Sequence, residues 1–207
     1  MVEMFTKEDF NVFQVEGLEP RMAEIRRVIQ PKFQSVDDYV VSKLAPELDE
    51  ELLVHIAQHR RRTTNAPDFT WSAMGGDKRG YKKYPHFTLG ITEDYLVMWL
   101  SFIDNPVNEK EMADSFLKQP SLFEGLPEGT VLNFDHTVNN YHEFNTDNLI
   151  KGLERWRDVK KGEFQIGRVL LKTETLLSQP AKALDYISET YLSLVPLYQD
   201  AIKYSVK

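Results

Sequence analysis

Two consecutive segments, His86–Leu89 and Tyr95–Ile103, constrain this chain more than any other stretch. Aromatic and β-branched side chains fill both, and only Gly90–Asp94 lies between them. Such residues favour a pleated backbone, and so short a connection joins antiparallel neighbours, so the two are expected to pair as a hairpin. Leu48–Arg62 fits two periods: Asp49 can cap a helix, yet Leu52, Val54 and Ile56 alternate, and the strand reading is taken. Phe69–Met74, closed by Gly75-Gly76, reads as a strand after the turn at Ala66-Pro67-Asp68. Val131–Asp135 and Glu163–Leu171 complete the set.

Helical periodicity occupies both ends of the chain. Thr6 and Asp9 form a weak capping box for a short opening helix anchored by Phe5, Phe10 and Phe13. Pro20 suits a first helical turn. Beyond it Met22, Ile25, Ile29, Phe33, Val36, Val40 and Leu44 recur every three or four residues, which predicts a long helix with one buried face that Pro31 kinks or splits. Helices are also expected from Asn108 to Gln119 and from Thr146 to Trp156. A last helix opened by Ser178 and Pro180 carries the stripe Leu184, Ile187, Tyr191, Leu194, Val195 and Tyr198. Strands joined by hairpin-length connections and flanked by helices predict an α+β chain: an antiparallel or mixed sheet of five or six strands, covered by helices from both chain ends. No repeat or long linker divides the 207 residues, so residues 1–207 are expected to form a single domain.

The distribution of charge directs the search for a site. Net charge is −7, yet His55–Gly90 gathers seven basic residues against two acidic ones, with three of the five histidines. An acidic surface disfavours general nucleic-acid binding, while a local cationic patch still attracts an anion. Arg61 and Arg62 precede the expected Phe69–Met74 strand and Arg79 and Lys82 follow it. If the two segments converge, guanidinium groups can hold phosphate or carboxylate with paired hydrogen bonds. Trp71, Tyr81 and Tyr84 between them suit stacking. The competing reading is a solvated face in which these cations pair with some of the 32 acidic side chains, and the two weigh about evenly.

Other chemistry is thinly supported. There is no cysteine, which removes thiolate and disulfide chemistry and agrees with a reducing compartment. His55 and His59 are four apart, but the glutamate of a metalloprotease helix is missing and the segment reads as strand, so no metal site is expected. His136 and His142 flank Asn139-Asn140 in a polar loop, and Asp135-His136 with Glu163 has the composition for acid–base work, as do pairs in most proteins. Gly75-Gly76 and Gly80 would let backbone amides approach an anion, although neither a dinucleotide-binding nor a P-loop pattern is present. The N-terminus lacks a secretory signal and no apolar run is long enough to span a membrane, so a cytoplasmic location without membrane association is expected.

The residues also carry a family resemblance. His59-x-Arg61-Arg62-Thr63-x-Asn65-x-Pro67, Thr70-Trp71-x-Ala73, Arg79-Gly80-Tyr81-Lys82 and Pro85-His86-Phe87-x-x-Gly90 resemble the central signature of the YktB-like family, uncharacterised proteins of low-GC Gram-positive bacteria. Phe10-x-x-Phe13, Glu16-Gly17-Leu18 and Lys160-Lys161-Gly162-Glu163-Phe164 with Arg168 match its outer parts, so the similarity spans nearly the whole chain. It implies a single α+β domain in the bacterial cytoplasm and supplies no activity or cofactor. Phe69 stands where relatives tend to carry Asp before the Thr-Trp pair, Arg60 where they tend to have a small residue, and Ala66-Pro67 where they tend to have two prolines. The first replacement favours binding or structure over chemistry at that position.

These readings lead to one expectation: a binding protein that captures an anionic small molecule through His59, Arg61, Arg62, Asn65, Arg79, Tyr81, Lys82 and His86. The first alternative is an enzyme acting on a phosphorylated or acyl substrate with His86 or His59 as acid or base. The second is an interaction protein that docks through its last helix, although that helix's stripe reads as core.

Overall fold

The expected central hairpin forms, with β3 (His86–Thr92) and β4 (Tyr95–Phe102) pairing antiparallel from His86↔Ser101 to Ile91↔Leu96. The turn between them is tighter than Gly90–Asp94, because β3 runs on to Thr92, whose hydroxyl accepts hydrogen bonds from the N–H groups of Asp94 and Tyr95. The computed structural model that shows this describes residues 2–103 and 106–205. β1 (Val54–Ile56) and β2 (Phe69–Gly75) extend the sheet on one side, and β7 (Phe164–Leu171), β5 (Thr130–Asn133) and β6 (His142–Glu143) on the other. The order is β1-β2-β3-β4-β7-β5-β6, and every pairing is antiparallel. The sheet therefore has seven strands rather than five or six. The additional one, β6, is two exposed residues laid against Val131 and Leu132, too short to leave a period in the sequence.

Helices cover one face. The long stripe is buried as expected, but the helix that carries it is interrupted: α1 (Leu18–Glu24) passes through a π-helical turn, Ile25–Ile29, into α2 (Gln30–Leu48). The Gln30 N–H bonds Ile25 O, five residues back, immediately before Pro31. Pro31 has no N–H for the carbonyl four residues earlier, and the widened turn accommodates that loss without ending the helix. The chain's last helix divides into α5 (Pro180–Ser193) and α6 (Val195–Ile202) because Pro196 restarts it in its first turn. Its stripe is core, since Ile187, Tyr191, Leu194 and Tyr198 are all buried. α3 (Glu109–Lys118) and α4 (Thr146–Asp158) pack together around Phe102, Phe116, Trp156 and Phe164. The opening segment is a 3₁₀ helix, Lys7–Gln14, tied to α2 by the buried ion pair Lys32–Asp9 at 2.6 Å.

Along β4 the side chains alternate: Leu96, Met98, Leu100 and Phe102 join the helix-covered core, whereas Tyr95, Val97 and Trp99 form a separate cluster with Val131 on the opposite face. Both sets are buried, which hides the in–out alternation expected of an antiparallel sheet. Something other than a helix must therefore close the second face.

One group in the helix-side core is costly. Asp37 of α2 is fully buried, and neither carboxylate oxygen has a hydrogen-bond partner among the described residues. Burial pushes its pKa up to about 8; nearby Ser72 lowers it a little, but the Ser72 hydroxyl is directed at Leu89 O, 3.4 Å away. The folded state thus holds a proton that the unfolded chain releases near pH 4, so the Asp37 contribution to stability is lost as pH rises from about 4 to about 8. Asp37→Asn should remove this slope and stabilise the fold at pH 7.5 by on the order of 3 kcal/mol. Urea midpoints at a series of pH values measure it; an unchanged slope in the variant would show that Asp37 is ionised in the fold.

Candidate functional site

The register places one side chain from each of four neighbouring strands in a row across the second face: His86, Ser101, Gln165 and Asn133. All four are buried. Ser101 is the junction, meeting Thr88 Oγ1 at 2.9 Å and accepting from Gln165 Nε2 at 2.8 Å. The Gln165 Oε1 takes no hydrogen bond from the described residues. Below this polar row lie Trp99, Val97 and Tyr95, with Phe69 stacked on Trp71 at 5.4 Å to one side. Gly90 makes that arrangement possible, because a Cβ there would come within 2.5 Å of the Phe69 ring.

A strap of chain, residues 135–141, crosses over this face. Asn133 donates through Nδ2 to the carbonyls of Val138 (3.3 Å) and Asn140 (2.7 Å), Asn139 reaches Asp68 O at 3.5 Å, and Tyr141 lies edge-on to Tyr95. Between strap and sheet is a cleft whose aromatic floor and wall include Trp99, Trp71 and Tyr95 and whose polar end includes Gln165, Asn133 and His136. Its free volume of about 30 Å³ admits only water while the strap is down.

At the polar end three residues singled out for acid–base work do come together. His136 Nδ1 sits 2.8 Å from both oxygens of Glu163, the His136 N–H donates to Glu163 Oε2 at 2.9 Å, and Asp135 adjoins them. Glu163 is 9% exposed. Asp135 accepts from the Thr137 N–H and hydroxyl, and these bonds hold its carboxyl below the usual range. His142 does not join them; it stacks on Phe134 at 4.8 Å.

The basic residues are arranged differently from the expected hollow. Arg61, Arg62 and Asn65 are exposed in the β1–β2 loop, where an Arg62 guanidinium N–H donates to Asn65 O at 3.3 Å. Arg79, Tyr81 and Lys82 belong to the β2–β3 loop, at the opposite end of β2. Seven strand residues at about 3.3 Å each put roughly 20 Å between the two loops. Within the second loop, Arg79, Tyr81 and Lys82 line a hollow of their own. The amides of Arg79 and Gly80 there are already bonded to the Asp77 carboxylate, which also accepts from the Tyr84 hydroxyl. The glycines serve that closure: Gly76, at φ +74°, leaves space that a Cβ would take from Gly80 O and Tyr81 Cα, 2.5 Å away.

Aromatic rings, not arginines, connect the two ends. His59 bonds Thr70 Oγ1 through Nε2 at 3.0 Å and stands edge-on to Trp71; the Trp71 indole N–H donates to the Tyr81 hydroxyl at 2.8 Å; Tyr81 covers His55 and His86. Burial lowers the pKa of His86 to about 4, and burial together with the Arg62 charge lowers that of His59 to about 4. His86 Nδ1 donates to Tyr84 O, which leaves its buried Nε2 an acceptor with no donor among the described residues. Neither histidine lines the cleft.

The fold and site define an α+β protein with an open antiparallel sheet, helices on one face and a strapped aromatic cleft on the other. A pattern described as "Domain of unknown function (DUF1054)" matches residues 5–198, and the chain belongs to that family. A UPF0637 protein of Enterococcus faecalis is 55% identical over 199 residues, covering 96% of this chain and 98% of the relative. One from Listeria monocytogenes is 43% identical over 202 residues, with 96% and 98% covered, and one from Shouchella clausii is 43% identical over 196 residues, with 94% and 93% covered. These low-GC Gram-positive sources agree with the resemblance read from the sequence. No helix among the described residues is long and apolar enough to cross a membrane.

The buried His86 and the partly buried His59 act against Asp37. Their folded pKa values lie below the ordinary 6.5, so they favour the fold fully above pH 6.5 and lose that contribution as pH falls towards 4. Two histidine slopes against one aspartate slope place the stability maximum near about pH 6.5. Urea midpoints between pH 4 and 9 check this: a maximum near pH 4 would contradict the neutral state of His59 and His86, and one at pH 8 or above would contradict the protonated state of Asp37.

Proposed function

We propose that this chain binds a small planar molecule in the cleft, with the ring against Trp99, Trp71 and Tyr95 and a polar edge at Gln165 and His136. The observation that carries the reading is the polar row set into an aromatic floor. A sheet face that only needed closing would be served by apolar side chains, and Gln165 keeps its Oε1 without a partner there. The closed cleft is too small for a ring, so binding requires the strap to rise. Its attachments are few, and Val138 and Tyr141 are already exposed, at 46% and 38%.

An anionic group on the ligand is favoured by a separate observation. Arg62 is close enough to His59 to lower its proton affinity, and His59 touches Trp71, which lines the cleft. Arg62 and its chain neighbour Arg61, beside a neutral His59, would supply the positive charge on that side, whereas Arg79 and Lys82 belong to the loop at the opposite end of β2.

Tryptophan fluorescence titrated with planar aromatic carboxylates and their neutral amides should detect binding through Trp71 and Trp99. Gln165→Leu is expected to weaken both series about tenfold, from one lost hydrogen bond in a desolvated site. Arg61→Ala with Arg62→Ala should weaken the carboxylates alone, and Arg79→Ala neither. Quenching that is indifferent to Gln165→Leu would remove the cleft from consideration, and an effect confined to Arg79→Ala would move the site to the β2–β3 loop.

A further inference from the structure

We infer that Asp135, His136 and Glu163 form a binding site for one divalent transition-metal ion at the polar end of the cleft. One ligand atom from each residue lies within 4.8 Å of the others, and these three are the only such group among the described residues. The set is one imidazole nitrogen and two carboxylates, which suits Zn²⁺, Mn²⁺ or Fe²⁺ better than the all-oxygen preference of Mg²⁺ or Ca²⁺. The absence of cysteine rules out a thiolate ligand.

The spacing needs a small adjustment to take an ion. Ligands about 2.1 Å from a metal and at right angles to one another are about 3.0 Å apart. His136 Nδ1 is 2.8 Å from each Glu163 oxygen, a hydrogen-bonded approach, so the two groups must draw apart by about an ångström to admit an ion between them, about 2.1 Å from each. Nδ1 now carries the proton shared with Glu163, and an ion would replace that proton as the other ring nitrogen takes it up. Asp135 closes the third position by a side-chain rotation, since it is exposed and its backbone is fixed by the 2.7 Å bond from its N–H to Asn133 Oδ1.

Charge supports the same assignment. Two carboxylates meet here, one of them 9% exposed, and negative charge so placed favours a doubly charged cation. Three protein ligands leave coordination positions open, and His136 lines the cleft, so those positions adjoin the bound molecule. For what the ion would meet, the inference rests on the cleft as a ligand site; for the ion itself it does not.

The test is a metal titration with no organic ligand present. Chelator-treated protein should take up one equivalent of Zn²⁺ or Mn²⁺, with a higher Tm, and Co²⁺ should give visible absorption bands of a nitrogen–oxygen site. Asp135→Asn and His136→Ala should each weaken uptake at least about tenfold, while His142→Ala leaves it unchanged. Asp135 is exposed, so its variant keeps the test valid should His136→Ala fail to fold. No uptake, or uptake indifferent to Asp135→Asn, overturns the inference and leaves His136–Glu163 a hydrogen-bonded dyad. Since fluorescence titration of the cleft is run separately, loss of metal binding with quenching intact overturns the metal alone, and the reverse overturns the cleft alone.

Discussion

The structure depends on covering the two faces of β3 and β4 by different means. Every position of these strands is buried, yet the helices of both chain ends lie on one face. The other face is closed by its own aromatic side chains and by seven residues of strap. An aromatic side chain that buries 150–250 Å² contributes on the order of 4–6 kcal/mol. Tyr95, Trp99, Phe69 and Trp71 therefore supply on one face what a helix would otherwise supply. A face closed in this way differs from a helix-covered one in a functional respect: its cover is a loop held by a few hydrogen bonds, and lifting it disturbs no regular element.

Much of the fold was legible in the sequence because burial leaves a period. The Met22–Leu44 stripe, the hairpin, the strand at Glu163–Leu171 and the C-terminal stripe are all where periodicity puts them. What the sequence did not reveal has physical reasons. β6 is two residues long, the π turn is a backbone adjustment to Pro31, and the division at Pro196 falls inside an unbroken apolar stripe. The site was harder to see. Cationic density between His55 and Gly90 drew attention to residues adjacent in sequence, but β2 carries its two flanking loops to opposite ends of the sheet. The usable signal was different: Ser101 and Gln165 are polar side chains inside runs otherwise rich in apolar residues, at positions where alternation predicts a buried neighbour.

The same density does have a structural consequence. The rings of His59, Trp71, Tyr81, His55 and His86 run in contact along β2, from one basic loop to the other. Arg62 at one end and Lys82 at the other both disfavour protonation of the nearest imidazole, so desolvation and neighbouring charge act in the same direction. The basic residues thus help to keep His59 and His86 neutral, a role that needs proximity in sequence and no convergence in space. Tyr81 is held over His55 and His86 by the Trp71 indole, so the β2–β3 loop is anchored to the wall of the cleft even though its charged side chains lie outside it.

Strap and polar end are mechanically one unit, which would tie the proposed binding to access. Asp135 and His136 begin the strap, and their hold on Glu163 and Asn133 fixes the point from which the rest of it crosses the sheet. Asn133 bonds the strap's far half through the carbonyls of Val138 and Asn140, and Gln165 sits beside Asn133 in the polar row. A group bound at His136 would therefore compete with Glu163 for a side chain that holds the strap down, whereas Gln165 bonds Ser101. Occupancy of the polar end and the position of the cover are two readings of one set of hydrogen bonds, and a ligand that engages the first must pay differential binding energy into the second to open the aromatic floor.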